Sequence, residues 1–129
     1  MDRDRSTPTA PRISCVVPAF NEAGNLDALL RALSAELDAL RLAWEIVIVD
    51  DGSADATPAA LRPWLAVPGI RCLQLSRNFG KEAALTAGLE EARGDVVVLM
   101  DADLQHPPAL IPRMLEAWRE GAQMVCMAR

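Results

Sequence analysis

Positive charge is scarce in this sequence. Lysine and arginine together number 13 against 18 acidic residues, leaving a net charge of −5. Without a basic face, a generic nucleic-acid binder is excluded, although a single phosphorylated ligand held by backbone amides or a metal fits that balance. Histidine occurs once, at His106, and lysine once, at Lys81. The three cysteines, Cys15, Cys72 and Cys126, form an odd set without CxxC spacing. That argues against a zinc site and for buried free thiols in a reducing compartment. No apolar run approaches the ~20 residues that span a bilayer, and the first twelve residues, MDRDRSTPTAPR, lack the apolar core of a signal peptide. A soluble cytoplasmic chain is expected.

What is present suffices for one domain. The 129 residues are 51% hydrophobic and 24% charged, which excludes disorder and allows a core of useful size. Residues 1–12 read as a disordered polar lead and 13–129 as the domain. Ile13–Val17 is a β-branched run that stops at Pro18. The apolar period then switches, with Leu26, Leu29, Leu30, Leu33, Leu37 and Leu40 on one helical face behind Asn25 as N-cap. Glu45–Val49 is the second strand. Thr57-Pro58 supplies a cap and a proline at the first position of a short helix that Pro63 cuts. Ile70–Leu75 is the third strand, Gly80–Arg93 a helix closed by Gly94, and Val96–Met100 a strand apolar on both faces. Pro107-Pro108 opens a further helix closed near Gly121, and Gln123–Met127 begins a fifth strand. The three tryptophans read as core. Strand and helix alternate throughout, which predicts a Rossmann-like parallel α/β sheet.

Ligands of such sheets bind beyond the carboxyl ends of the strands, and there the polar residues gather. Pro18-Ala-Phe-Asn-Glu22 follows the first strand, Asp50-Asp-Gly-Ser53 the second, Ser76-Arg-Asn-Phe-Gly-Lys81 the third and Asp101-Ala-Asp-Leu-Gln-His106 the fourth. Any one of them alone is ordinary turn chemistry; together on one edge they make a site. Asp101 and Asp103, with Gln105 as a neutral oxygen, suit a hard cation such as Mg²⁺ or Mn²⁺, while an acid-rich turn capping the next helix is the plain alternative. The adjacent Asp50 and Asp51 are costly beyond a buried strand unless donors or a cation meet them; a nucleobase, ribose hydroxyls or a metal supply that, and Asp-Gly-Ser is also common turn chemistry. Arg77 and Lys81 bring cationic charge, and Gly80 at a helix start lets backbone amides approach a phosphate; two surface cations beside a helix-start glycine is the bland version. Asn21 and Glu22 either touch ligand or cap the first helix. His106 reads as a turn residue.

These four clusters, in this order, resemble the inverting glycosyltransferase family 2, closest to its polyprenyl-phosphate and dolichyl-phosphate sugar transferases. The likeness runs from about Ile13 to the end of the chain. It implies the N-terminal half of a GT-A fold and transfer of a sugar, with inversion, from a UDP- or GDP-sugar to a lipid phosphate at the cytoplasmic face of a membrane. By the same resemblance Pro18, Phe20, Asn21, Glu22, Asp50, Asp51, Ser53, Arg77, Lys81, Asp101 and Ala102 bind the nucleotide-sugar, with Pro18, Phe20 and Glu22 lining its pocket and the Asp50-Asp51 pair on base and ribose. Asp101 and Asp103 are the catalytic pair and, with Gln105, hold Mg²⁺ or Mn²⁺ on the diphosphate. Phe20 stands where tyrosine is frequent, keeping an aromatic face. The family's domain continues past this length, so a donor half without its acceptor half is expected, one that transfers no sugar alone. Rival readings fare worse. A receiver domain needs a lysine late in the chain, and none follows Lys81; a dinucleotide fold wants GxGxxG, and no GxG occurs; Gly80-Lys81 lacks the rest of a P-loop. A catalytically silent nucleotide-binding fragment is the remaining alternative.

Overall fold

The computed structural model describes residues 13–100 and the backbone of 125–126. The lead 1–12, the helix expected between Pro107 and Gly121, Trp118, His106 and the Asp101–Gln105 cluster lie outside the described residues. In chain order the elements are β1 (Ile13–Ala19), α1 (Ala23–Ala39), β2 (Trp44–Asp50), α2 (Thr57–Leu61), β3 (Ile70–Gln74), α3 (Lys81–Glu91), β4 (Val96–Leu99) and β5 (Val125–Cys126), with a 3-10 turn over Arg62–Ala66 after α2. All strand pairings are parallel, and the strands stand in the order β3-β2-β1-β4-β5. The expected Rossmann-like sheet is therefore what the chain forms. From β1 the chain works outward to β2 and β3, then returns to β4 on the other side of β1. Between β1 and β4 lies the switch point where the crevice of such a sheet opens.

Helices cover both faces. Leu26, Leu29, Leu30, Leu33 and Leu37 of α1 are fully buried against Ile13, Cys15, Val17, Ile46 and Ile48; each such side chain contributes roughly 1.5–3 kcal/mol by leaving water. On the other face α3 brings Ala84 onto Val16, Val47 and Val49. It approaches so closely that a Cβ on Gly88 would stand 2.3 Å from the Val16 Cγ1 atom. Trp44 and Trp64 are only half-buried, at the rim of the core, where their indole N–H groups donate to Asp38 (2.8 Å) and Asp27 (3.2 Å). The Cys15 thiol is buried and burial pushes it up to about 12. Cys72, half-buried, is also raised, by burial and by the charge of Asp50.

Four local expectations are corrected. β1 runs through Pro18 rather than stopping there, pairing Pro18 with Val49 and Ala19 with Asp50. Met100 donates to the Val16 carbonyl and Asp51 to that of Ala19, so alternate residues of β1 face β4 and β2, and Pro18 faces the β4 side. The β1–β4 pairing ends at Val16 and Leu99, so the missing N–H forfeits no bond to β2. Helix α1 starts at Ala23 with Glu22, not Asn25, as N-cap; its first turn, Ala23-Gly24-Asn25, carries no apolar signal to betray it. The α2 cap position is Ala56, because Thr57 sends its hydroxyl to Asp55 instead. Gly94 is not a helix-closing glycine: α3 ends at Glu91, and Gly94 donates its N–H to the Ser14 hydroxyl (2.7 Å) where a Cβ would meet the Ser14 nitrogen at 2.7 Å.

That contact belongs to a polar knot at the amino ends of the strands. Glu45, 5% exposed, accepts from Arg71 Nε (3.1 Å) and Nη2 (2.9 Å), from the Ser14 hydroxyl (2.6 Å) and from the Arg93 amide (2.7 Å). Arg71 also reaches the Glu91 carboxylate (3.2 Å) and carbonyl (2.7 Å). Burial alone would raise the Glu45 carboxyl. The hydrogen bonds from Ser14, Arg93 and Arg71, with the Arg71 charge, outweigh it and hold the group below its ordinary value. The knot ties the carboxyl end of α3 to the start of three strands.

Candidate functional site

The carboxyl ends of β1, β2 and β3 place their three polar clusters on one edge. After Ala19 the chain exposes Phe20, then turns through Asn21 at φ 55, a left-handed conformation that asparagine tolerates. The Asn21 side chain accepts from the amides of Ala54 (2.9 Å) and Asp55 (3.3 Å), and the Asn21 backbone N–H donates to the Ser53 hydroxyl (2.9 Å). Glu22 donates its N–H to the Thr57 hydroxyl (2.9 Å), and Ala23 donates to Asp55 (3.4 Å). Hydrogen bonds from Thr57 hold the Asp55 carboxyl below its usual range. Thus Asn21, Ser53, Asp55 and Thr57 clasp the loop after β1 to the loop after β2.

The acidic pair divides. Asp50 and Asp51 are 1% and 3% exposed. Asp51 Oδ1 accepts from the Phe79 amide (2.8 Å), and its Oδ2 accepts from the Gly80 amide (3.0 Å) and Asn78 Nδ2 (3.2 Å). Asp50 Oδ1 accepts from the Ser53 amide (3.0 Å), while its Oδ2 is buried and meets no donor among the described residues. Gly52, at φ +72, lies against the next loop so tightly that a Cβ would stand 2.2 Å from the Arg77 carbonyl carbon and 2.4 Å from the Asn78 nitrogen. Only glycine meets both conditions.

Arg77 and Phe79 are exposed on that next loop, the guanidinium 4.7 Å above the ring centroid. Gly80 is the N-cap of α3 and Lys81 its first residue. The amides of Phe79 and Gly80 are taken by Asp51. Pro18, Phe20, Asn21, Glu22, Asp50, Asp51, Ser53, Arg77 and Lys81 thus share one edge of the sheet. Asp101, Ala102, Asp103 and Gln105 lie outside the described residues; they follow Met100, whose N–H is held by Val16 at the carboxyl end of β4 (3.0 Å). Among the described residues no group of three His, Cys, Asp or Glu stands close enough to hold a metal ion. Reading the sequence alone overlooked Asp55 and gave Gly52, Thr57 and Asn78 no individual role in the site. The Asp-x-Thr spacing of 55–57 is the one local signal, since an Asx turn needs an acceptor two residues before its donor.

The sequence model of the family described as Glycosyl transferase family 2 matches residues 14–129. An undecaprenyl-phosphate 4-deoxy-4-formamido-L-arabinose transferase of Aeromonas hydrophila subsp. hydrophila is 43% identical over 115 residues, covering 88% of this chain and 35% of that protein. Among solved structures, the mannosyltransferase PcManGT of Pyrobaculum calidifontis, in complex with GDP-Man and Mn²⁺, superposes with a TM-score of 0.62 at 32% identity, over 74% of this chain and 28% of its own. The glucosyl-3-phosphoglycerate synthase of Mycobacterium tuberculosis, in complex with Mn²⁺, UDP and glucosyl-3-phosphoglycerate, does so with a TM-score of 0.67 at 26% identity, over 84% and 39%. The chain spans 34–37% of the length of the curated relatives it matches.

Proposed function

The chain belongs to glycosyl transferase family 2, and from that premise we propose that it carries the nucleotide-sugar-binding part of an inverting glycosyltransferase of the GT-A fold. The observation that carries this reading is the Asp50 Oδ2 atom, buried at the carboxyl edge without a donor among the described residues. Leaving a buried carboxylate oxygen unpaired costs roughly 1–3 kcal/mol or more. A nucleobase N–H or a ribose hydroxyl supplies the missing donor. Phe20 offers an exposed aromatic face, and Pro18, Glu22, Arg77 and Lys81 share the same edge. The donor is a UDP- or GDP-sugar.

Asp101 and Asp103, with Gln105, form an all-oxygen donor set that fits Mg²⁺ or Mn²⁺. When bound, such an ion neutralises the diphosphate and stabilises it as a leaving group. The acceptor is a polyprenyl phosphate, supported by the name of the Aeromonas relative. Its phosphate oxygen is ionised at neutral pH, so attack on the anomeric carbon needs no general base, as a sugar hydroxyl would. A lipid acceptor sets the work at a membrane surface, and we propose its cytoplasmic face. No helix among the described residues is long and apolar enough to cross one.

Calorimetry of the 129-residue chain with UDP and GDP, in Mn²⁺ and in EDTA, tests the reading. One nucleotide should bind with a requirement for the ion. That binding should be lost in Asp103→Asn, and Asp50→Asn should weaken it in Mn²⁺. Equal affinity in excess EDTA would take the metal out of this account; failure of both nucleotides to bind would refute the donor site.

A further inference from the structure

Resting on the donor-binding reading, we infer that Asp51 is a positioning residue that acts on the nucleotide through the 77–80 loop, leaving Asp50 as the member of the pair that faces ligand. An ionised carboxylate accepts at about four lone-pair sites. Asp51 already takes three donors from one short segment, the amides of Phe79 and Gly80 and the side chain of Asn78. Asn78 Nδ2 also reaches the Asp51 carbonyl (3.2 Å). Asp50 has the opposite pattern, with one oxygen tied to its own turn and the other without a donor among the described residues.

The loop so held carries the two groups suited to a nucleotide. Arg77 and Phe79 flank Asn78, and both are exposed, stacked at 4.7 Å. A guanidinium fixed over a ring presents its edge donors in a set direction, which suits a nucleobase carbonyl or a phosphate. The loop rests on β2's turn in two independent ways: the Asp51 hydrogen bonds, and the backbone of Arg77 and Asn78 lying on Gly52. An anionic acceptor just before the first residues of α3 is also favoured by the helix dipole. Release of the Asp51 side-chain bonds leaves the loop on the Gly52 contact and the Asn78 bond to the Asp51 carbonyl, so Arg77 and Phe79 lose much of their direction while the sheet persists.

A double-variant cycle separates action through the loop from direct contact. Asp51→Asn keeps the shape but deprives at least one donor of its acceptor. It should weaken UDP or GDP binding about tenfold, Arg77→Ala should do the same, and the double variant should bind no more weakly than either single one. Losses that multiply in the double variant would mean that Asp51 touches the nucleotide itself and would overturn the inference. The amide resonances of Phe79 and Gly80 supply a second readout: in Asp51→Asn they should shift and exchange faster, whereas unchanged amides would refute the loop coupling. If Asp51→Asn does not fold, Asn78→Ala, which removes one donor of three, takes its place in the cycle. No binding by the parent chain would refute the donor reading and this inference together; binding by the parent with multiplying losses would refute this inference alone.

Discussion

Three glycine-to-alanine substitutions isolate the contact that joins the second and third loops of the site. At Gly24, in the first turn of α1, an added Cβ meets nothing within 4 Å and φ is ordinary. Gly24→Ala should therefore stabilise by about 0.5–1 kcal/mol through helix propensity. At Gly80 the space is equally open, but φ is +105 with ψ 157, a region almost closed to residues with a Cβ; Gly80→Ala should cost about 1–3 kcal/mol of backbone strain. Gly52 combines a φ of +72 with backbone atoms at 2.2 and 2.4 Å from the added Cβ. There the left-handed strain of about 1–2 kcal/mol is joined by about 1–3 kcal/mol of overpacking against atoms that cannot rotate away. With an unfolding entropy near 2.1 cal/mol/K per residue, each kcal/mol moves the midpoint of a 129-residue chain by about 4 °C. Thermal unfolding followed by circular dichroism should show Gly24→Ala raised by about 2–4 °C, Gly80→Ala lowered by about 4–11 °C and Gly52→Ala lowered by about 7–18 °C. A Gly52→Ala midpoint no lower than that of Gly80→Ala would show that the 77–78 backbone yields without cost, and the rigid contact between the loops would have to be abandoned.

The depressed Glu45 carboxyl sets a pH dependence. A group whose native value lies below its unfolded one contributes its full stabilisation above the ordinary 4.5 and loses it as pH falls through the lowered native value. Urea midpoints measured from pH 7 down to pH 3 should decline in the parent and decline less steeply in Glu45→Gln; parallel curves would remove the knot from the acid response. The buried Cys15 thiol, pushed up to about 12, should resist an aromatic disulfide reagent at pH 8 in the native chain and react once urea unfolds it. In a Cys126→Ser background, native labelling of Cys15 as fast as that of the half-buried Cys72 would contradict its placement.

Much of this molecule is written in contiguous residues. The change from β-branched runs to leucines three and four apart places β1, α1 and β2 within a few residues, because burial of one face imposes its period on the chain itself. The clusters after the first three strands were legible for the same reason, since polar residues directly beyond an apolar strand must lie at its carboxyl end. Tertiary structure decided what local period does not carry. Whether Pro18 ends a strand depends on which side of β1 its missing N–H faces, and that follows from the order of the strands. Gly94 serves Ser14, a residue 80 positions away, and Gly52 serves Arg77 and Asn78; neither need is visible to a neighbour in sequence. Asp50 and Asp51 are identical in type and adjacent, so no pattern distinguishes them. The loop after β3 does, by sending three donors to Asp51 and none to the Oδ2 atom of Asp50, because side chains at successive positions along and beyond a strand point in different directions and only the folded chain determines what each one meets.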